Sequence, residues 1–312
     1  MSKLTVSPSP HIKSSQTTNK IMWAVVISLI PAGIAGVYIF GISSLNVIAF
    51  SILSCIFTEA LFLKLRNKDP KAVLDGSAVL TGLLLAYNLP PQTPFWIPIV
   101  GGMISIALGK QIFGGLGQNI FNPALVGRAF LQISWPVYMT AWKNPRWWPD
   151  AISGATPLAK KASVHFSYMD LFLGNRPGSL GEVCVIALLI GVAFLLVTKI
   201  ISLRVPLSYI GTVGIITWVF GKEGFFKGDF IFNILAGGII LGAFFMATDY
   251  VTSPLTKKGK IVFGIGCGVL TAIIRLRGGY PEGVCYSILF MNAAVPIIDR
   301  FTKTKKYGFI KK

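Results

Sequence analysis

Asp75–Asn88 (DGSAVLTGLLLAYN) matches Ala236–Asp249 (AGGIILGAFFMATD) without a gap, and this pair of segments decides the fold. A proline follows each copy, at Pro90-Pro91 and at Pro254. The pattern predicts two copies of one unit, with chance similarity between apolar helices as the alternative. Two later matches extend it: Gly114-Gly115 with Gly278-Gly279, and roughly Asn122-Pro123-Ala124 with Asn292-Ala293-Ala294.

Ten apolar runs recur along the chain, and most are long enough for a helix that crosses a bilayer. Five runs per copy is an odd number, so the two copies must cross the membrane in opposite directions. We therefore predict an all-α integral membrane fold of about ten transmembrane helices in two inverted five-helix repeats, with sites at the repeat interface. The runs cover about 21–42, 45–65, 76–89, 95–112, 117–135, 180–202, 206–220, 230–250, 260–276 and 283–298.

These runs predict a simple domain organisation. A long extracytoplasmic loop follows the fifth helix and separates the two repeats. The predicted parts are a cytoplasmic tail at 1–20, the first repeat at 21–135, the loop at 136–179, the second repeat at 180–299 and a basic cytoplasmic tail at 300–312.

The composition excludes several classes of protein. The chain is 53% hydrophobic and only 13% charged, about half the charged fraction of soluble domains. Its net charge of +18 would suit nucleic acid, but the basic residues form short clusters between apolar runs, so we predict no nucleic-acid partner. The first twenty residues are polar and lack the pattern of a cleavable signal peptide.

The distribution of basic residues predicts the orientation. With both termini inside, nineteen lysines and arginines fall in inner segments and nine in outer segments. That excess agrees with the positive-inside rule. We therefore expect a multi-pass protein of a prokaryotic cell membrane, with both termini cytoplasmic and the loop that contains Thr156 extracytoplasmic.

The loop contains a motif with a specific chemistry. Asp150-Ala151-Ile152-Ser153-Gly154-Ala155-Thr156 fits D-x-x-[ST]-G-A-T, the sequence on which flavin transferases attach FMN to a threonine hydroxyl. Ser153, Gly154 and Ala155 add little bulk around that hydroxyl, and Pro157 restricts Thr156 to extended conformations. The motif predicts covalent FMN on Thr156; an ordinary turn rich in small residues is the alternative.

The fifth run has a composition unsuited to lipid. Gly114–Phe130 contains four glycines, Pro123, Asn119, Asn122 and Arg128. Irregular backbone in a membrane is tolerated where it lines protein or a cavity, and a buried arginine needs a partner. We predict a broken helix whose Asn119 and Asn122 amides bind a planar polar ligand; tight packing of small residues is the alternative.

Other polar residues give weaker indications. Asp75 and Asp249, with Asn88, could supply oxygen ligands to a transported cation, but for the two aspartates an interfacial position paired with Lys71, Lys257 or Lys258 is the favoured explanation. Cys55, Cys184, Cys267 and Cys285 suit buried small hydrophobes, with a cluster shared with another protein chain as the alternative. His11 and His165 lie in hydrophilic segments, where solvated histidines are expected.

The two central motifs together resemble a known family. The loop motif, after G-x-N-x-x-N-P-A-L-x-G-R-A-F and within ten apolar runs, is similar to the D subunit of the Rnf complex and to its relative, the B subunit of the sodium-translocating NADH:quinone reductase. Ser7–His11 and Asn292–Asp299 also look typical. The length and the short N-terminal tail favour the Rnf type.

The resemblance implies more than the residues indicate alone. It implies a complex that passes electrons between ferredoxin and NAD, coupled to Na⁺ or H⁺ movement, with other Rnf subunits and a flavin transferase as partners. It also implies covalent FMN on Thr156, non-covalent riboflavin near Asn119 and Asn122, and a urea-transporter-like inverted repeat. We therefore predict an electron-transfer subunit of an ion-translocating oxidoreductase. The alternatives are a small-solute or ion channel or carrier, and a structural anchor.

Overall fold

The computed structural model describes residues 16–148, 157–158, 166–221, 224–278 and 283–303. The predicted flavin acceptor Thr156 lies outside the described residues, together with Asp150, Ser153, Gly154 and Ala155. His11 and His165 also lie outside them.

Helices make up nearly all of the regular structure in the described residues. The first half contains α1 Thr18–Phe40, α2 Ser43–Leu65, a 3₁₀ helix Pro70–Asp75, α3 Ser77–Tyr87, α4 Trp96–Ile106 with a π-helical extension Ala107–Gln111, α5 Pro123–Ser134 and α6 Pro136–Met139. The remainder contains α7 Tyr168–Leu173, α8 Val185–Val197, α9 Arg204–Val219, the two-residue strands β1 Phe220–Gly221 and β2 Gly224–Phe225, α10 Phe230–Leu235, α11 Ile239–Leu241 with a π-helical extension Gly242–Met246, α12 Lys257–Arg277 and α13 Val284–Phe301.

The protein is an all-α membrane protein. α1, α2, α12 and α13 are long and apolar enough to cross a bilayer, and α3 and α8 are shorter apolar helices. Large apolar side chains on the outside of these helices are exposed, among them Ile34, Phe57 and Phe290. Water would not favour that surface, whereas a bilayer would, so the exposed apolar residues are explained by contact with lipid.

The two halves are inverted copies, as the sequence pattern predicts. α1 packs along α8, and the end of α1 at Ile39 and Phe40 clusters with the start of α8 at Cys184 and Ala187. The start of α1, near Ile21, lies beside the end of α8 and the following residues. Corresponding first helices therefore run antiparallel.

The last helices of the two repeats have the same relation. The Cys285 thiol near the start of α13 lies 3.4 Å from the Leu125 carbonyl near the start of α5. Asn292, further along α13, contacts Asn122, just before α5. The contacts advance along α13 while they go back along the chain at α5, which is the order found in antiparallel helices and in an inverted repeat.

The aligned segments also share a backbone feature. Gly76, before α3, has φ +85°, and its match Gly237, before α11, has φ +72°. Both values lie in the left-handed region that side chains rarely adopt. The same bend therefore starts the third membrane element of each repeat.

Three predicted spans are wrong in extent. The run 117–135 is helical only from Pro123, because positive φ at Gly114, Gly115 and Gly117 interrupts the backbone before it. The run 180–202 is helical only over Val185–Val197, since the amides of Leu180 and Gly181 instead donate to Leu89 and Tyr87 carbonyls. The run 230–250 breaks between α10 and α11, at the bend around Gly237.

Candidate functional site

A cavity lies between the two repeats, at the end of the bundle where α1 begins. Its lining atoms enclose about 750 Å³ of space, which includes the part that opens to solvent. Both repeats supply its walls, so the repeat fold itself creates it. We call it the interface cavity; its polar lining comprises Ser77, Thr81, Lys110, Asn119, Asn122, Thr248, Asp249 and Tyr250.

Asn122 lies on the wall of this cavity but has its amide engaged. Its Oδ1 accepts from the Ala124 amide at 3.1 Å, which caps α5. Its Nδ2 donates to the Met246 carbonyl of the other repeat at 3.4 Å. Asn122 therefore fixes the start of α5 and joins the repeats, and its amide has little capacity left for a ligand.

Asn119 has an atom available to a ligand. The side chain is only 6% exposed, and its Nδ2 donates to the Phe121 carbonyl at 3.1 Å. Its Oδ1 is buried and has no partner among the described residues. A buried acceptor without a partner is costly unless something donates to it, so this oxygen is a candidate contact for a ligand N–H or O–H.

Arg128, which was expected to need a partner, bonds to Asn88. Arg128 lies on α5 and donates through Nη1 to Asn88 Oδ1 at the end of α3. Asn88 also donates through Nδ2 to the Leu84 carbonyl at 2.7 Å. Asp75 precedes the opposite end of α3, about 16 Å away along an 11-residue helix. The structure therefore does not bring Asn88 and Asp75 into one ligand set.

A buried ion pair borders the interface cavity, and sequence reasoning missed it. Lys110 Nζ lies 2.5 Å from Glu59 Oε1, and both side chains are almost fully buried. Lys110 also donates to Ser77 Oγ at 2.5 Å, and Ser77 in turn donates to Asp75 Oδ1. The network extends from α2 across the π-helical extension of α4 to the start of α3. The sequence indicated that Lys110 lies in an inner segment between membrane helices. Its position between Glu59 and Ser77 results from the packing of α2, α3 and the π-helical extension of α4.

The two aspartates occupy different places in this arrangement. Asp75 accepts the Ser77 amide at 2.7 Å and therefore closes the turn before α3. Asp249 lies on the cavity wall, where Oδ2 accepts from Thr252 Oγ1 at 3.0 Å. Asp249 is thus the acidic side chain on the cavity lining, whereas Asp75 reaches the cavity only through Ser77.

A second group of buried charges lies near the Gly237 bend, at the opposite end of the bundle. Arg176 is 1% exposed, Glu182 3% and Arg275 6%. Arg275 donates to the Asn233 and Ala236 carbonyls at 2.6 and 3.0 Å. Arg176 donates to the Glu182 backbone carbonyl at 3.0 Å. We call these three residues the outer charge cluster, because the sequence predicts this end of the bundle to be extracytoplasmic. Sequence reasoning counted Arg176 and Arg275 as loop residues and missed their burial.

The four cysteines are free and buried, as small hydrophobic residues are. They do not form a disulfide with one another. Within the described ranges, no group of three or more His, Cys, Asp and Glu side chains is arranged to hold a metal ion.

Comparison with known proteins places the chain in a family. A family model described as "NQR2, RnfD, RnfE family" matches residues 5–308. The chain belongs to the NQR2, RnfD, RnfE family. It is 49% identical to the D subunit of the proton-translocating ferredoxin:NAD(+) oxidoreductase complex of Clostridium ljungdahlii, over 97% of this chain and 96% of that protein. It is 48% identical to the D subunit of the Na(+)-translocating complex of Acetobacterium woodii, over 99% and 96%.

More distant members of the NQR2, RnfD, RnfE family match over a similar length. The D subunit of the ion-translocating oxidoreductase complex of Stutzerimonas stutzeri is 37% identical over 95% of this chain and 93% of that protein. The likeness therefore covers both repeats and the loop between them. The names of these relatives describe proton, sodium or unspecified ion translocation, and they do not agree on one ion.

Proposed function

We propose that this chain is the D subunit, a membrane electron-transfer component, of an ion-translocating ferredoxin:NAD oxidoreductase complex in a prokaryotic cell membrane. The observation that carries the proposal is the D-x-x-S-G-A-T sequence ending at Thr156, in a member of the NQR2, RnfD, RnfE family. The names of the full-length relatives support the complex and its ferredoxin:NAD chemistry. Other Rnf subunits would be the protein partners, and NAD chemistry would occur outside this chain.

Thr156 would receive FMN from a flavin transferase through a phosphoester to its hydroxyl. The bound isoalloxazine supplies redox chemistry that no amino-acid side chain provides, while the protein supplies attachment and orientation. Asp150, Ser153, Gly154 and Ala155 would serve as the recognition sequence for the transferase. The excess of basic residues in the predicted inner segments supports an extracytoplasmic position for this loop and cytoplasmic termini.

The interface cavity would hold the second, non-covalent flavin, riboflavin. Both repeats line this cavity, and Asn119 Oδ1 on its wall is a buried acceptor without a partner in the described part of the chain. A ligand N–H or O–H would satisfy that oxygen. Asn122 would contribute by fixing the backbone around Asn119, since its own amide is engaged.

Charge balance would couple electron transfer to ion movement. Negative charge added near the membrane interior is costly unless a cation approaches. Asp249 on the cavity wall is the carboxylate best placed in the described structure to attract Na⁺ or H⁺ from the end where α1 begins. Asp75 would act indirectly, through its bond to Ser77.

A channel or carrier without redox function is the rival proposal. The interface cavity favours it, because inverted-repeat carriers bind their substrates between repeats. Two features oppose an open pore at this position: the buried Lys110–Glu59 pair and the Arg128–Asn88 contact occupy the neighbouring protein interior.

Covalent flavin distinguishes the two proposals. The chain would be expressed with a flavin transferase, purified, and run on a denaturing gel under ultraviolet light, with intact mass measured in parallel. We expect a fluorescent band and a mass increase of one FMN phosphoester in the wild type and in Thr140→Ala, a threonine in the same inter-repeat segment. Both signals should disappear in Thr156→Ala. An equally bright Thr156→Ala band, or a wild-type chain without an adduct, would contradict the proposal.

A further inference from the structure

The outer charge cluster contains three buried charges that do not pair with one another. No nitrogen of Arg176 or Arg275 lies within 4.0 Å of a Glu182 carboxylate oxygen in the described structure. Glu182 Oε1 accepts the Ser179 amide at 3.1 Å, but Oε2 has no partner among the described residues. The Nε atoms of Arg176 and Arg275 likewise have none there. Among the described residues, two guanidinium groups and one carboxylate therefore leave one positive charge without a compensating negative charge.

Buried charge of this kind needs a compensating group. Taking an ion out of water is costly unless the ion is paired and hydrogen-bonded. Ordered water can satisfy orphaned polar atoms, but water does not cancel a net charge. A group with a single negative charge would bring the cluster to neutrality and accept hydrogen bonds from the arginines.

The chain that follows the predicted flavin acceptor lies close to this cluster. A Cβ built on Gly237 would lie 2.8 Å from Arg275 Nη2 and 2.8 Å from Leu158 Cδ1. Leu158 and Arg275 therefore both lie beside Gly237, and the absence of a side chain there leaves space next to them. Thr156 is two residues before Leu158, and two residues of chain span at most about 7 Å.

We propose that the outer charge cluster, through Arg275 with Arg176, binds the phosphodiester that joins FMN to Thr156. A phosphodiester carries one negative charge, which balances the net charge of the cluster. It is also the part of the cofactor closest to the polypeptide, and a planar guanidinium suits its oxygens. The carboxylate of Glu182 lowers the net positive charge of the cluster and accepts a hydrogen bond from the Ser179 amide. Arg275 can therefore bind the anion. The inference rests on the proposed flavin attachment to Thr156.

Anchoring of the phosphate predicts how freely the attached flavin moves. The full chain would be flavinylated by co-expression with a transferase and purified with its lipids, and adduct content would be read by intact mass. Fluorescence anisotropy of the oxidised flavin would report its mobility, and acrylamide quenching would report its exposure. Arg275→Gln should keep the adduct, lower the anisotropy and raise the quenching constant several-fold. Arg277→Gln removes an exposed arginine from the same helix and should match the wild type.

A second pair of variants distinguishes loss of phosphate binding from loss of structure. Arg275 also holds the Asn233 and Ala236 carbonyls, so Arg275→Gln could lose structure for that reason. Arg176→Gln leaves those bonds intact and should loosen the flavin in the same direction. Glu182→Gln should leave the flavin at least as immobile as in the wild type, because the cluster becomes more positive.

The failure of this inference is distinguishable from the failure of flavin attachment. If Arg176→Gln and every folded Arg275 variant carry the adduct with wild-type anisotropy and quenching, the cluster does not bind the phosphodiester. If the wild type carries no adduct, flavin attachment itself fails, and the anchoring inference fails with it.

Discussion

The backbone N–H of Asn122 donates to the side-chain Oδ1 of Asn292 at 3.3 Å, and the bond joins the two repeats at their interface. The internal repeat matches these two asparagines approximately, so residues in corresponding positions meet near the axis that relates the halves. Asn292 Nδ2 also donates to the Thr252 carbonyl at 2.9 Å. One buried side chain therefore satisfies backbone groups from both repeats.

Replacing Asn292 should destabilise the repeat interface. Asn292→Ala leaves the Asn122 amide and the Thr252 carbonyl buried without their partner, at a cost of roughly 2–4 kcal/mol in the free energy of unfolding. Thermal unfolding in detergent, followed by tryptophan fluorescence, measures the effect. Asn46→Ala, at an exposed position on α2, serves as the control and should change the midpoint little. Equal unfolding midpoints for Asn292→Ala and Asn46→Ala would show that Asn292 does not stabilise the repeat interface.

The Lys110–Glu59 pair should behave as a coupled unit. Lys110→Met leaves Glu59 as an unpaired buried charge, and we expect a loss of about 3–5 kcal/mol. The double variant Lys110→Met/Glu59→Met replaces the pair with apolar side chains of similar length, so most of that loss should be recovered. A double-mutant cycle by chemical unfolding measures the coupling energy.

The control for this cycle is Lys64→Met, which removes an exposed lysine at the end of α2. Its stability should stay within about 0.5 kcal/mol of the wild type. Additive effects of the two buried substitutions would show that the charges do not depend on each other.

Gly82 should be intolerant of alanine because α2 and α3 touch there. A Cβ on Gly82 would lie 2.6 Å from Ile52 Cα, and backbone atoms cannot move aside cheaply. Gly82→Ala should therefore cost roughly 1–3 kcal/mol, as overpacking does. Gly211→Ala on α9 meets no atom within 4 Å and should be neutral or stabilising by up to about 1 kcal/mol. Equal unfolding midpoints for the two alanine variants would contradict the close approach of α2 and α3.

Tyr168 should titrate at a higher pH than an ordinary tyrosine. Its hydroxyl donates to Asp229 Oδ2 at 2.6 Å, and this hydrogen bond, with the nearby negative charge, raises the pKa of the phenol. The protonated phenol is favoured in the folded state, so its stabilising effect is present below the ordinary tyrosine pKa. That effect disappears as the pH rises through the raised value.

Asp229→Asn should lower the pKa of Tyr168 toward its ordinary value. Ultraviolet difference titration would measure it, with Tyr168→Phe identifying the part of the absorbance change that belongs to this residue. An unchanged titration in Asp229→Asn would mean that the hydrogen bond does not control the phenol.

Much of the fold was predictable because it depends on local patterns. Apolar runs predicted the membrane helices, and the match of Gly76 with Gly237 predicted the inverted repeat that the antiparallel α1 and α8 confirm. The irregular backbone before Pro123 followed from its glycines. Helix ends were less predictable: the amides of Leu180 and Gly181 bond to residues about ninety positions earlier, and no local pattern records such a partner.

The candidate site was predictable in part, residue by residue. Asn119 and Asn122 were expected together, and both lie on the interface cavity. The sequence did not indicate that the two side chains differ in their capacity to bind a ligand. They differ because the Asn122 amide donates to the Met246 carbonyl of the other repeat. Asn88 was grouped with Asp75 as a cation ligand, whereas its bond to Arg128 depends on how α3 crosses α5.

The sequence by itself determined the membrane class, the doubled architecture and the acceptor motif that ends at Thr156, because composition, periodicity and short motifs are properties of neighbouring residues. Only the tertiary structure decided which buried charges meet. Glu59 and Lys110 are 51 residues apart. Arg176, from the segment between the repeats, and Arg275, from the second repeat, lie close enough for their charges to interact. Such contacts depend on helix crossings in a bundle whose interior excludes water, where every charge requires a partner that the chain must supply from a distance.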